Sequence, residues 1–142
     1  MNFEVDSRID SSAFFLGDWP LSRVYLKNVV QFPWMILVPR VPNVQEIYQL
    51  SVVDNQQLMI EIVALSQIVE EVFNPDKLNI GALGNIVSQL HLHVVARFQC
   101  DPLWPNGIWQ PNVETLPYPV DSAAALILLL EKKIRAFLSD SL

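Results

Sequence analysis

The sequence predicts an α+β domain: a mainly antiparallel sheet of about five strands, packed with a long central helix and a C-terminal helix. Three observations carry this. Two β-rich runs flank a short gap near the start of the chain, a long apolar stripe of helical period follows, and a strictly alternating strand carries both histidines. Strands, then a helix, strands again and a terminal helix give the order from which α+β architectures are built. At 142 residues with 51% hydrophobic content, the chain fits one domain spanning residues 1–142 and supplies ample apolar surface for a core.

Arg23–Lys27 and Trp34–Val38 are the two early strands, joined through 28–33 by a connection short enough for a hairpin. Pro39, which has no N–H to donate to the ladder, ends the second. A helix is expected over Val52–Phe73. Ser51 with Asp54 three residues on marks its start, and Pro75 prevents its continuation. Leu58, Ile62, Leu65, Val69 and Val72 form one stripe suited to packing on a sheet, while Glu61, Gln67, Glu70 and Glu71 lie off it. Asp18, Glu46 and the acidic residues of this helix read most simply as solvated charges. A third strand is expected over Lys77–Leu83, a turn at Gly84-Asn85, and a fourth strand over Gln89–Phe98. The proline- and tryptophan-bearing stretch 101–120 reads as an irregular loop, and a last helix runs from a cap at Asp121 to about Leu138.

Composition removes several function classes. A net charge of −6 with 17% charged residues argues against a general nucleic-acid binder, because the mean field repels a polyanion. Four glycines form neither GxxxxGK[ST] nor GxGxxG, so a kinase or a dinucleotide dehydrogenase is not expected. Cys100 is the single cysteine and can make no internal disulfide. The N-terminal residues carry acids where a signal peptide has a basic region, and the longest apolar run, Ala123–Leu130, is shorter than the roughly 20 residues a bilayer requires. These features point to a cytoplasmic protein without a membrane partner.

The segment Gln89–Phe98 is the most informative. Alternation places Leu90, Leu92, Val94, Ala96 and Phe98 on one face, all apolar, and Gln89, His91, His93, Val95 and Arg97 on the other. The two histidines are neighbours on that second face, roughly 6.6 Å apart along the strand. One reading is a half-solvated strand with polar groups toward water. A second is a metal site, since alternate strand positions can offer two imidazoles to zinc, although no third ligand is evident. A third is covalent catalysis, in which a neutral imidazole attacks phosphorus, a carbonyl fixes its tautomer, and the second histidine steadies the developing charge. The residues alone leave the three open. Trp104 and Trp109 read first as aromatic packing that pins the loop, with a substrate wall or a dimer contact as the functional alternative. Arg97 fits a solvated strand end or a phosphate contact.

The segment Gln89-Leu90-His91-Leu92-His93-Val94-Val95 resembles the signature of the histidine triad (HIT) family, His-φ-His-φ-His-φ-φ with φ apolar, at every position but the first. Leu83-Gly84-Asn85-Ile86-Val87 is similar to the family's Gly-Gln-Ser/Thr-Val segment, Trp34–Arg40 to its strand ending in Val-x-Pro-Lys/Arg, and Asn28 stands at its Asn/Asp position. The resemblance covers about 20–100, leaving loop and helix 101–142 outside, and is nearest to a bacterial branch with Gln-x-His-x-His. It implies a HIT-like fold and a nucleotide hydrolase or transferase working through a covalent nucleotidyl-histidine, on a dinucleoside polyphosphate or a nucleoside phosphoramidate. His91 would be the nucleophile, the carbonyl of Gln89 its orienting partner, and His93 a phosphate contact. Gly84 and Asn85 would belong to the phosphate segment, Asn28 would contact ribose, and Asn79, with a one-residue shift, would be a further polar phosphate contact. No metal cofactor is required, though Mg2+ can accompany a polyphosphate, and a homodimer with a continuous sheet is implied. Gln89 in place of the first histidine cannot carry charge near pH 7. Ile86 replaces a frequent Ser or Thr, and Trp34 replaces a family histidine and reads as packing. The alternative is a nucleotide-binding protein with little turnover.

Overall fold

The computed structural model describes residues 2–140. A short helix, α1 (Ser7–Asp10), leads into β1 (Ala13–Asp18), β2 (Ser22–Lys27) and β3 (Trp34–Pro39). The long helix α2 (Val52–Phe73) follows, then β4 (Lys77–Gly81), β5 (Leu92–Arg97) and α3 (Val120–Asp140). The five strands form one antiparallel sheet in the order β1-β2-β3-β5-β4.

The long helix has the bounds its apolar period predicts. Ser51 accepts a hydrogen bond from the Asp54 amide at its start, and Asn74 ends it in the left-handed conformation just before Pro75. Its inner face buries Leu58, Ala64, Leu65, Ile68 and Val69 against Leu92, Val94 and Ala96 of β5 and Met35 and Leu37 of β3, and α3 adds Leu130 and Ile134 to the same core.

The other face of the sheet is covered as well. There the N-terminal segment and the loop 101–120 close a second cluster around Tyr25, Trp34, Ile36, Val95 and Ile108. All six residues of β3 and all six of β5 are therefore buried. Covering both faces removes the half-solvated reading of the histidine strand.

Several expectations change with this architecture. The fourth strand is shorter than Gln89–Phe98: its ladder begins at Leu92, opposite Leu37, and His91 lies just ahead of it. The third strand ends at Gly81 rather than Leu83. Asp121 sits in the first turn of α3 and is not its cap. Strand β1 has no counterpart in the sequence reading.

Two charges expected in solvent are instead structural. Glu61 is fully buried: its carboxylate accepts from the amides of Leu21 and Ser22 at 2.8 and 2.9 Å and from the Gln57 amide. It thereby ties α2 to the β1–β2 turn. Arg97, 1% exposed, is no solvated strand end. It forms an ion pair with Asp101 at 2.8 Å and donates to Asn79 Oδ1 at 2.9 Å. Asp101 also accepts from the amides of Phe98, Leu103 and Trp104, so this pair anchors the start of the covering loop. Asp18 is half-buried, bonded to Arg23 and within 3.9 Å of Arg40.

Candidate active site

The loop-facing side of β5 opens into a cavity of about 580 Å³ whose lining includes His91, His93, Trp34, Lys27, Asn85 and Trp109. Both histidines are nearly withdrawn from water, at 7% and 5% exposure, and their rings meet edge to face with centroids 4.7 Å apart.

Hydrogen bonding fixes the tautomer of each ring. His91 Nδ1 lies 2.6 Å from the Gln89 carbonyl, which can only accept, so Nδ1 carries the proton and the Nε2 lone pair is free. The carbonyl contact implied by the resemblance is thus present. For His93 the order reverses. The indole Nε1–H of Trp34 donates to His93 Nδ1 at 2.8 Å, which places the proton of the neutral ring on Nε2. That N–H has only a long contact, 3.4 Å, to the Leu83 carbonyl, and remains able to donate to a ligand.

Burial lowers the proton affinity of both rings. For His91 desolvation is the first cause, with the Lys27 charge adding to it against the opposing hydrogen bond to Gln89. For His93 desolvation, helped by the His91 and Lys27 charges, brings the value down to about 4. Near pH 7 the site holds two neutral imidazoles, one offering a lone pair and the other an N–H.

Trp34 is more than packing. Its indole orients His93 from the diagonal position on β3, and Trp109 stacks edge-on against both rings, with centroids 5.6 Å from His93 and 6.4 Å from Trp34. Gly81, opposite His93 on β4, makes room for this. A Cβ there would approach Leu83 Cδ1 to 2.9 Å and Trp109 to 3.6 Å. Trp109 is therefore a wall of the cavity, whereas Trp104 lies against the Arg97 guanidinium.

The remaining residues singled out in the sequence separate into two groups. Asn85 and Ile86 line the cavity, and Gly84 shapes their turn, where a Cβ would meet the Val87 carbonyl at 2.9 Å. Asn28 and Asn79 are not among the lining residues. Asn28 Oδ1 accepts from the Tyr118 amide and Asn79 Oδ1 from Arg97. The Gln89 side chain turns away from the histidines to the N-terminal segment, accepting from the Asp6 amide and donating to the Glu4 carbonyl. Among the described residues there is no cluster of three His, Cys, Asp or Glu that could hold a metal ion, and no helix is long and apolar enough to cross a membrane.

Sequence reasoning missed Lys27 and Arg8 as cavity residues, and held Trp109 as a substrate wall only as the alternative to aromatic packing. Alternation puts Lys27 on the face of Tyr25, a legible signal. Arg8 reaches the cavity through α1, which has no comparable pattern.

The site is a buried histidine pair of fixed tautomers on an antiparallel sheet. The HIT domain family model matches residues 8–100. Solved structures agree over nearly the whole chain. A histidine triad protein of Bradyrhizobium japonicum is 38% identical, covers 94% of this chain and 99% of its own, and superposes with a TM-score of 0.90. One from Marinobacter aquaeolei is also 38% identical, covering 96% and 98%, with a TM-score of 0.90. One from Sinorhizobium meliloti is 32% identical, covering 92% and 96%, with a TM-score of 0.87. Among curated protein sequences no significant match is found. The chain belongs to the HIT family.

Proposed function

We propose that this protein is a nucleotide hydrolase or nucleotidyl transferase that works through a covalent nucleotidyl-histidine on His91. The observation that carries the reading is the 2.6 Å contact from His91 Nδ1 to the Gln89 carbonyl, which leaves the Nε2 lone pair available beside the cavity. In the first step Nε2 attacks the α-phosphorus and the bond to the leaving group breaks, the leaving group departing with the electron pair. The positive charge formed on the ring is held by Nδ1–H against the carbonyl. In the second step water or another acceptor attacks phosphorus and passes its proton to solvent, the electron pair of the P–N bond returns to Nε2, and His91 is left neutral with Nδ1 still protonated. The Nε2–H of His93 donates to phosphoryl oxygens as their charge rises. Dinucleoside polyphosphates and nucleoside phosphoramidates are the substrates that suit this chemistry, with Mg2+ accompanying the former.

One observation favours the alternative of a nucleotide binder with slow turnover. With its amide engaged by Glu4 and Asp6, Gln89 offers no charged donor toward a leaving group. Steady-state hydrolysis of diadenosine tetraphosphate and adenosine 5′-phosphoramidate decides between the readings. Turnover that is lost in His91→Ala supports the enzyme, and binding without turnover supports the alternative.

We read the assembly as a homodimer. Among the described residues strand β4 ends the sheet with its outer edge unpaired, and α2 exposes Val52, Val53, Met59, Ile60 and Val63. Sedimentation equilibrium giving the mass of one chain at micromolar concentration would refute this.

A further inference from the structure

Among the described residues two cations line the cavity and no carboxylate does, although the chain carries a net charge of −6. The two are not equivalent. Arg8 is exposed and already committed: it makes two side-chain bonds to Asp6, at 3.0 and 2.8 Å, and one to the Ile86 carbonyl. Lys27 is half-buried at the end of β2. Its Nζ lies 4.4 Å from the centre of the Trp34 ring, and among the described residues no carboxylate or hydrogen-bond acceptor pairs with it.

An ammonium withdrawn from water without a counter-ion is costly, and a cation–π contact offsets only part of that cost. The cost shows in the lowered proton affinity of Lys27, whose cause is desolvation. Lys27 also acts electrostatically on both His91 and His93, so it shares their space. Meanwhile the position where the family signature has its first histidine is occupied by Gln89, a neutral side chain directed elsewhere. The positive charge of this site therefore resides on Lys27, two strands away from the motif across β3.

We propose that Lys27 binds the phosphate of the nucleotide, supplying the charge that the histidine motif itself lacks. This rests on the nucleotide reading of the cavity and adds to it a recognition residue from outside the motif. The ammonium would donate to non-bridging phosphoryl oxygens, held in place by the Trp34 ring that it lies over. Because Trp34 also orients His93, a single indole would position both donors to the phosphate.

The test is calorimetric titration of adenosine 5′-monophosphate, and of adenosine, into wild type, Lys27→Met and Lys27→Arg. Methionine keeps the apolar stem and loses the charge. The expected result is a loss of about 10- to 100-fold in affinity for the monophosphate in Lys27→Met, the range of a charged hydrogen bond. Adenosine affinity should stay unchanged, and Lys27→Arg should recover most of the loss. Equal affinity of Lys27→Met and wild type for the monophosphate overturns the proposal. So does a parallel loss for adenosine, which would mark Lys27 as a packing residue. Side-chain NMR of wild-type protein labelled with 13C-lysine keeps the question open to test should Lys27→Met fold poorly. The Lys27 Cε resonance should move with the monophosphate and with inorganic phosphate but not with adenosine, and no movement refutes the proposal. Failure of the nucleotide reading looks different: wild type itself would bind neither compound.

Discussion

Replacing Trp34 with phenylalanine removes the indole N–H and part of the ring while keeping an aromatic side chain in place. In the native protein that N–H donates to His93 Nδ1 at 2.8 Å, and His93 is 5% exposed, so water is poorly placed to substitute for it. A buried acceptor left without its partner costs about 1–3 kcal/mol. The smaller ring also gives up contacts to Trp109 and to the Lys27 ammonium. Together these lower the unfolding free energy by about 2–3 kcal/mol, or roughly 4–12 °C in Tm for a chain of this size. The tautomer balance of His93 shifts too, since a net bond of about 1 kcal/mol corresponds to roughly fivefold in the ratio. Thermal and urea unfolding measure the first effect, and imidazole 15N shifts the second. A melting temperature within about 1 °C of wild type, with His93 nitrogen shifts unmoved, would refute the claim that the indole holds this ring.

Other perturbations test the supporting structure. Glu61→Ala strands the buried amides of Leu21 and Ser22 and should cost about 3–5 kcal/mol by urea unfolding, with Glu61→Gln recovering about half, since its carbonyl can still accept one of them. Asp101→Asn leaves the Arg97 guanidinium buried without a counter-charge and should cost about 3–5 kcal/mol, with faster proteolysis within 101–120 as a second readout. Acid should destabilise the fold through His93. Between its ordinary 6.5 and about 4, the unfolded ring takes up a proton that the folded ring refuses. Stability is therefore full above about pH 6.5 and is lost as the pH falls toward 4, by about 3 kcal/mol from this residue alone. His93→Asn should flatten that slope. The proposed mechanism needs a neutral His91, so turnover should hold as the pH falls to 6.5 and decline only in more acid solution.

The helix Val52–Phe73 and strands β2 and β3 were legible because each is decided locally, by an apolar period and by turn or cap residues at its ends. Strand β1 was not. Its register shifts between Phe15 and Gly17, so its residues do not alternate cleanly, and most of them are only half-buried. The histidine face was legible as a face, but its burial was not, because the cover comes from the N-terminal segment and the loop 101–120, distant in sequence. Glu61 shows the same limit. Nothing in the helix's own sequence says that a turn 40 residues earlier presents two amides to it.

Within the site, the pairing of His91 with the Gln89 carbonyl was available from the family resemblance, and the contact spans only two residues. The roles of Trp34 and Trp109 depend on pairing across strands and on loop closure, which no local pattern encodes. Gln89 could be seen to lack charge. That its amide would be spent clamping Glu4 and Asp6 could not.

The central claim is that His91 Nε2 becomes bonded to phosphorus during turnover. Rapid mixing with adenosine 5′-phosphoramidate, quenching in alkali to preserve a phosphorus–nitrogen bond, and intact-mass spectrometry followed by peptide mapping test it most directly. The account predicts a transient gain of one adenylyl group, located on His91 and missing in His91→Ala. Product formation in wild type with no adduct at any quench time, or with the adduct on another residue, would contradict it.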